Sequence, residues 1–251
     1  MKIKNLFIIM ILISISIIAK ADVNPDLWPY LHARMFKDRP ITEVDFLKIS
    51  GPKRASSGAQ VPINIQLTTN KDVYIKTITL IIDANPGQHA ATFHLSNQTQ
   101  NLNLFTRIRM ETDSFVRVIA EDNNSNLYMS KIAIRASGGC SGHVDVNDPA
   151  LTKDLGKILV KIQDKYLTTR IKHPNFTGLQ KDHDSGGYIP KWVVEKIQYK
   201  FKDKIILITE NKISISQDPY LKFNFSSDNA GEITVSATDT KGQIFLKTIK
   251  I

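Results

Sequence analysis

The sequence predicts an all-β protein with two β-sandwich domains, joined by a flexible linker that carries the single cysteine. Three observations indicate this fold class. Apolar and polar residues alternate along short segments, these segments recur roughly every 8–12 residues, and Gly, Pro, Asn and Asp mark turns between them. The chain has 251 residues, which divide into two units of about a hundred residues, the usual size of a β-sandwich.

The first element is an N-terminal leader over residues 1–21. Two lysines precede an apolar stretch from Leu6 to Ala19, and Ala19-Lys20-Ala21 has the A-x-A spacing of small residues. A charged start, a short apolar segment and a small-residue site are typical of a secretory signal peptide. The alternative, a membrane anchor, is less favoured because a spanning helix needs about 20 apolar residues. We therefore predict cleavage after Ala21 and no membrane attachment of the mature chain.

The charge pattern argues against nucleic-acid binding. The leader holds three of the 33 basic residues and none of the 24 acidic ones, so the mature chain carries a net charge of +6. Its basic residues are interleaved with acidic and apolar residues, whereas nucleic-acid binding requires a concentrated basic face. We interpret these charges as a solvated surface, with acidic partners or anionic ligands as the alternative.

The first predicted domain covers residues 22–142. Asn24-Pro25 is typical of the start of a helix and predicts a short helical turn that includes Leu31. The clearest strand pattern lies over residues 61–67, where Val, Ile and Leu alternate with Pro, Asn and Gln. The same period recurs later in this half, and turn sequences such as Asn85-Pro86-Gly87 separate the strands.

Small and turn-forming residues interrupt the alternation at 137–142 and continue through a predicted linker at 143–158. A second predicted domain follows at 159–251. Its alternation is strongest over residues 197–201 and 221–225. Because the same period of two returns without any long helical pattern, we predict a second sandwich.

Cys140 is the one residue in the chain with special chemistry, and it lies among Gly138, Gly139, Ser141 and Gly142. Holding such a glycine-rich segment still costs much conformational entropy, so it is either clamped against its neighbours or mobile. The lack of apolar side chains around the cysteine favours a mobile arm with an exposed, working thiol. An intermolecular disulfide and a buried, inert cysteine are the alternatives.

The histidines do not supply the partners that a thiol enzyme or a metal site needs. His143 lies in the same flexible stretch as the cysteine, which is a poor platform for a base held within roughly 2.6–3.2 Å of a nucleophile. Four further histidines show no metal-ligand spacing: His89, His94, His173 and His183. We predict no catalytic residue, metal or cofactor, and keep His143 as a candidate for assisting the thiol. A flexible thiol on which other proteins act describes a covalent carrier.

The residues around the cysteine also resemble a known family. Gly138-Gly139-Cys140-Ser141-Gly142, at the end of a domain that contains Ser57-Gly58-Ala59-Gln60-Val61-Pro62, is similar to the carboxy-terminal carrier motif of the sulfur-carrier subunit SoxY. The second half resembles SoxZ, the partner subunit. That resemblance rests on residues 171–178, 188–190, 216–225 and 239–242. The order of the halves is similar to that of fused SoxYZ-like carriers associated with quinoprotein dehydrogenases.

The resemblance implies two immunoglobulin-like domains, a periplasmic location and no catalysis by the protein itself. It implies that Cys140 holds a sulfur-containing intermediate covalently and that Gly138, Gly139, Ser141 and Gly142 form its flexible arm. The implied partners are periplasmic sulfur-oxidation enzymes, or components of a quinoprotein dehydrogenase and cytochrome system. Because the two subunits are fused, a monomer is expected.

Two features depart from the family pattern. The family's arm ends the chain shortly after the cysteine, whereas here more than a hundred residues follow Cys140, so the arm is tethered at both ends. Ser141 replaces the glycine that is usual after the cysteine. The alternative function is a non-enzymatic docking module for a periplasmic dehydrogenase or cytochrome, in which Cys140 is incidental.

Overall fold

The structure, a computed structural model, describes residues 23, 27–69, 73–225 and 230–251. The predicted signal peptide, residues 1–21, lies outside the described residues, and so does Asn24-Pro25, the predicted start of the helical turn. Within the described part of the chain, no helix has the length and apolar character needed to cross a membrane.

The first half of the chain contains one helix and eight strands among its described residues. They are α1 (Leu27–Phe36), β1 (Ile41–Glu43), β2 (Leu47–Ser50), β3 (Val61–Thr68), β4 (Ile75–Ile82), β5 (His89–Leu95), β6 (Asn101–Ile108), β7 (Ser114–Asp122) and β8 (Leu127–Ile134). Short 3-10 turns lie at Gly58–Gln60 and Asn97–Thr99. The predicted helical turn is thus part of a helix of ten residues.

The second half is also built mainly of strands. Its elements are β9 (Gly142–Val144), α2 (Pro149–Thr152), β10 (Ile158–Gln163), β11 (Tyr166–Ile171), β12 (Gln180–Asp182), β13 (Val194–Phe201), β14 (Lys204–Asn211), β15 (Tyr220–Asn224), β16 (Glu232–Asp239) and β17 (Ile244–Lys250). The predicted all-β class is therefore confirmed.

The alternating segments form strands because each one can place all its apolar side chains on one face. In β3, the side chains of Val61, Ile63, Ile65 and Leu67 are buried, whereas the residues between them are exposed or half-buried. The same pattern on neighbouring strands produces an apolar inner face and a polar outer face. This is the arrangement that a sandwich of two antiparallel sheets requires.

Two large sheets run through both halves of the chain. The nine-stranded sheet has the order β1-β8-β7-β4-β5-β14-β13-β16-β17, and the six-stranded sheet has the order β10-β11-β15-β6-β3-β2. Antiparallel pairing of β5 with β14 and of β6 with β15 joins the halves, with Phe93 opposite Thr209 and Thr106 opposite Leu221. The two sandwiches are therefore joined edge to edge by their sheets as well as by the chain between them.

The predicted linker, residues 143–158, is not the free tether that its composition suggests. Its first residues belong to β9, which pairs in parallel with β12. Helix α2 then begins after Asp148, whose side chain accepts a hydrogen bond from the Ala150 N–H at 2.8 Å. A cap of this kind contributes about 1 kcal/mol to a helix. The polar residues of this stretch therefore make specific hydrogen bonds.

One apolar core fills the space between the large sheets and extends across both halves. Phe93, Tyr199, Leu207 and Phe223 are each at most 1% exposed. The Tyr199 hydroxyl lies 2.7 Å from that of Thr169, so its burial leaves no polar group without a partner. Burying one side chain of this size contributes about 1.5–3 kcal/mol. The two halves consequently depend on each other for part of their stability.

Helix α1 covers part of the outer face of the nine-stranded sheet. Leu31 of the helix is fully buried against Ile81, Ile119 and Leu127. In the first half of the chain, α1 therefore covers this outer face. No helix of the described residues packs on the outer face of the six-stranded sheet.

The strands β4, β6, β8 and β14 all end at the same end of the sandwich, and the segments that follow them lie side by side. The Arg109 N–H donates to the Ser214 carbonyl at 2.7 Å, and the Gly139 N–H donates to the Met110 carbonyl at 3.0 Å. These bonds place Cys140, in the segment that follows β8, against loops from both halves of the chain.

Candidate functional site

The arm, residues 138–142, is anchored to the backbone beside it. The Gly138 N–H donates to the Glu111 carbonyl at 2.9 Å, in addition to the bond from Gly139 to Met110. A Cβ atom at position 139 would lie only 2.1 Å from the carbonyl oxygen of Gly58. Glycine at 139 is therefore required for the close approach of two backbone segments rather than for freedom of movement.

The Glu111 carboxylate holds the middle of the arm. It accepts hydrogen bonds from the Cys140 N–H at 2.7 Å and the Ser141 N–H at 3.1 Å, and the Ser141 hydroxyl donates to its other oxygen. Burial raises the pKa of Glu111, but these hydrogen bonds outweigh burial and the net pKa is lower than usual. The carboxylate is therefore ionised at neutral pH and satisfied by three donors from the arm.

The thiol itself is fully buried, with 0% of Cys140 exposed. The Asn85 amide donates to its sulfur at 3.6 Å and also to the Ser214 hydroxyl at 3.1 Å. On the other side, the Cys140 carbonyl accepts a hydrogen bond of 2.7 Å from the Thr177 hydroxyl. Side chains from both halves of the chain thus surround the cysteine.

The surroundings of Cys140 disfavour its thiolate. Burial is the main cause that raises the pKa of the thiol to about 12, the Glu111 carboxylate raises it further, and the Arg109 guanidinium partly opposes both. Arg109 is 4% exposed and donates to the Gly139 carbonyl at 3.0 Å. In this closed arrangement the sulfur is a neutral thiol at neutral pH and a poor nucleophile.

The prediction of a mobile arm with an exposed thiol is therefore wrong for this arrangement, in which the arm is clamped. Gly138, Ser141 and Gly142 are exposed, but Gly139 and Cys140 are buried. The physical reason is that glycine, having no side chain, also permits close backbone contact. The space around Cys140 is filled by backbone atoms and by polar side chains that are far away in the sequence, so no apolar neighbour along the chain is needed to bury the thiol.

His143 is exposed and belongs to β9, where it pairs with Lys181 of β12. Among the described residues, no hydrogen bond joins its ring to Cys140. Its proposed assistance to the thiol thus has no geometric support in the closed arm. The residues that do contact the cysteine, Asn85, Glu111 and Thr177, carry no local motif that distinguishes them in the sequence.

Two family models match the chain in succession. The model described as sulfur oxidation protein SoxY matches residues 32–140, and the model described as sulphur oxidation protein SoxZ matches residues 163–250. The chain contains a SoxY domain followed by a SoxZ domain. Its SoxY domain ends at Cys140, and the remainder of the arm leads into the segment before the SoxZ domain. The resemblance of the two halves to these subunits is confirmed.

Three solved structures of different proteins are similar to the chain. The sulfur carrier protein SoxY from Chlorobium limicola f thiosulfatophilum is 21% identical, with 44% of this chain and 92% of that chain covered and a TM-score of 0.38. A superoxide reductase (neelaredoxin) from Ignicoccus hospitalis is 12% identical over 45% and 92%, with a TM-score of 0.33. Fibronectin(III)-like modules of CbhA from Clostridium thermocellum are 11% identical over 85% and 90%, with a TM-score of 0.23. The comparison with curated proteins returned no match.

The family boundaries show where the thiol lies in the molecule. Asn85 and Glu111 belong to the SoxY domain, whereas Thr177 and Ser214 belong to the SoxZ domain. Asn85, Glu111 and Thr177 form hydrogen bonds with Cys140, and Ser214 accepts a further one from the same Asn85 amide. The cysteine is therefore enclosed at the junction of the two domains.

Proposed function

We propose that this protein is a periplasmic, non-catalytic carrier that holds a sulfur-containing intermediate covalently on Cys140 and presents it to partner enzymes. The observation that carries the proposal is the position of the single cysteine. It ends a SoxY domain, lies in a glycine-rich arm and sits at the junction with a SoxZ domain. The arm is held by hydrogen bonds at one end of the sandwich, so it can be released without opening the apolar core.

Attachment of the cargo to Cys140 is a two-electron oxidation. When the Cys140 thiol is joined to an anionic sulfur atom of the cargo, one S–S bond forms, the thiol S–H bond breaks, and one proton and two electrons are released. Cys140 is the single cysteine of the chain, so no second thiol or disulfide takes up these electrons, and the proposal includes a redox partner that accepts them. This requirement fits sulfur-oxidation enzymes, or the cytochrome components of a quinoprotein dehydrogenase system, as the partners.

The closed arm protects the unloaded carrier. With a pKa of about 12 for Cys140, the thiolate fraction at pH 7 is on the order of 10⁻⁵, against a few per cent for an exposed cysteine. A free thiol in an oxidising compartment is prone to disulfide formation. Opening of the arm restores reactivity, so a partner that binds the open arm also activates the thiol.

The burial of Cys140 also favours a second function, a docking module in which the cysteine only fills space at the domain junction. In that case the protein binds a dehydrogenase or cytochrome and the sulfur is never modified. The two functions therefore differ in one measurable property, namely whether cargo is ever attached to Cys140.

The experiment is intact-mass spectrometry of the processed protein isolated from the periplasm of actively metabolising cells, before and after reductant. A carrier shows an added mass that is removed by reductant, and the size of this mass identifies the cargo. A Cys140→Ser variant, purified in parallel, must lack the added mass. An unmodified thiol in protein from such cells contradicts the carrier proposal and supports the docking module.

A further inference from the structure

The outer face of the six-stranded sheet is strongly basic. Five of its six strands contribute one exposed or half-buried cation each: Lys48 from β2, Arg107 from β6, Lys161 from β10, Arg170 from β11 and Lys222 from β15. None of the six strands contains Asp or Glu. We call these five residues and the polar surface between them the basic face.

Strand pairing creates this face from residues that are far apart in the sequence. Lys222 lies opposite Phe105 on one neighbouring strand and opposite Thr168 on the other, and Arg170 lies opposite Tyr220. Strands in a sheet are about 4.8 Å apart, so the six strands span about 24 Å. The face therefore crosses from the SoxY domain to the SoxZ domain without a break.

Most of these charges have no carboxylate partner within the described chain. Arg170 forms an ion pair with Asp218, which also lies 3.6 Å from Lys172. No described carboxylate lies within 4.0 Å of the cationic nitrogens of the other four residues, Lys48, Arg107, Lys161 and Lys222. Their charge is thus available to a molecule outside the chain.

Aromatic rings lie among the cations. The Arg107 guanidinium is 4.9 Å from the centre of the Tyr220 ring, and the Lys222 ammonium is 4.4 Å from that of Tyr166 and 5.3 Å from that of Phe105. Arg107, Tyr220 and Lys222 also line a shallow groove of about 550 Å³. Rings and guanidinium groups at a groove are the composition that protein interfaces favour at their centre.

The basic face also leads directly to the arm. Phe105 and Arg107 point outwards from β6, and Arg109, two residues further along the chain, donates to the Gly139 carbonyl. A molecule seated over Arg107 is consequently next to the segment that carries Cys140.

We propose that the basic face is a docking surface for the acidic surface of a partner protein. Charge complementarity identifies the occupant, because carboxylates of the partner would meet five cations, four of which have no described carboxylate within 4.0 Å. A protein fits better than a membrane, since the aromatic rings of the face lie against cations and only one large apolar side chain of the six strands, Leu159 at 54%, is exposed. This docking does not require the thiol, and so goes beyond the proposed carrier function.

The test uses an acidic peptide, ten glutamates with two tyrosines, titrated into the isotope-labelled processed protein and followed by NMR. We expect shifts of backbone signals along β6, β11 and β15, with affinity that falls as salt rises. The double variant Arg107→Gln with Lys222→Gln should weaken binding by about tenfold. A matched double variant on the nine-stranded sheet, Lys196→Gln with Lys200→Gln, removes the same charge and should change the affinity by less than about twofold.

The proposal is wrong if the peptide does not bind, if the shifted signals are centred elsewhere, or if both double variants weaken binding equally. Vesicles of phosphatidylglycerol and phosphatidylcholine provide a further arm of the test. If the protein binds them through Arg107 and Lys222 more tightly than it binds the peptide, the face serves a membrane and the proposal is wrong. The titration is repeated with Cys140→Ser, which abolishes any carrier chemistry but should bind the peptide normally. Failure of the docking proposal can therefore be distinguished from failure of the carrier proposal.

Discussion

Glu111 holds the Cys140 thiol in its closed position, because three groups of the arm donate to its carboxylate. Hydrogen bonds to charged groups contribute about 1.5–3 kcal/mol each, more than bonds between neutral groups. One of the three comes from the Ser141 hydroxyl, which a glycine at this position would lack. The departure from the glycine usual in the family therefore strengthens the closed arm.

Acidification should open the arm. The pKa of Glu111 is below its ordinary value of 4.5, since the hydrogen bonds from the arm outweigh the effect of burial. The Glu111 pKa is lower in the closed arm than in the open arm, so ionised Glu111 stabilises the closed arm at a pH above the ordinary pKa. This stabilisation is lost as the pH falls through the lowered pKa. We expect hydrogen-exchange protection of the Cys140 and Ser141 amides to be constant from about pH 7 to pH 5 and to fall at lower pH.

Two variants make this result specific to Glu111. Glu111→Gln should lack the acid transition and should lower the protection of both amides at pH 7 by about tenfold, because a neutral acceptor replaces a charged one. Glu232→Gln, at an exposed carboxylate, should behave as the unmodified protein. Equal protection of the Cys140 and Ser141 amides in Glu111→Gln and in the unmodified protein at pH 7, with the Tyr199 amide protected in both, would show that Glu111 does not hold the arm.

At the scale of elements, the close contact between the arm and the Gly58–Gln60 turn determines whether the arm can close. In Gly139→Ala, the new methyl group would lie 2.1 Å from the Gly58 carbonyl oxygen, which no shift of a flexible side chain relieves. The arm should therefore remain open and the thiol exposed. We expect the alkylation rate of Cys140 by iodoacetamide at pH 8 to rise by at least about tenfold, because an exposed thiol has far more thiolate than one of pKa about 12.

Gly187→Ala is the matched control for this variant. A Cβ at position 187 meets only the Ser185 hydroxyl at 3.5 Å, an ordinary contact, so alkylation of Cys140 should be unchanged. Far-UV circular dichroism establishes that both variants keep the sandwich. An unchanged alkylation rate in a folded Gly139→Ala protein would mean that the arm closes by another route.

The strands were predictable from the sequence, whereas the enclosure of the thiol was not. Alternation is a local signal, and in β3 it correctly identifies the buried side chains. Cys140, by contrast, is enclosed by Asn85, Glu111 and Thr177, which are 55, 29 and 37 positions away. Only the pairing of strands brings such residues together, and the glycines around the cysteine are compatible with either a clamped or a free arm.

The basic face could not be predicted from the sequence for the same reason, since it forms only when strands pair. In the sequence, Arg107 and Lys222 are separated and lie among apolar neighbours, which favours the interpretation of a solvated surface. Pairing of β6 with β15 places them on one face, and the absence of acidic residues from all six strands becomes visible only when those strands form one sheet.

At the scale of the whole molecule, the shared sheets make the SoxY and SoxZ domains one folding unit. The β5–β14 pair and the β6–β15 pair both cross from one domain to the other, and a single apolar core lies between the sheets. Separation of the domains would expose four unpaired strand edges, those of β5, β6, β14 and β15, and part of this core. The cost of such exposure opposes an intermediate in which only one domain is folded.

We therefore expect both domains to unfold in one transition, which the two tryptophans of the chain can report separately. The guanidinium carbon of Arg117, in the SoxY domain, lies 4.3 Å from the centre of the Trp28 ring. Trp192, in the SoxZ domain, donates a hydrogen bond of 2.7 Å to the Asp239 carboxylate. In Trp28→Phe and Trp192→Phe, the remaining tryptophan follows one domain, while circular dichroism follows all strands. Within each variant, the urea midpoints from fluorescence and circular dichroism should agree to within about 0.2 M. Two separated midpoints in either variant would show that the domains unfold independently and that the junction around Cys140 can open without loss of the fold of either domain.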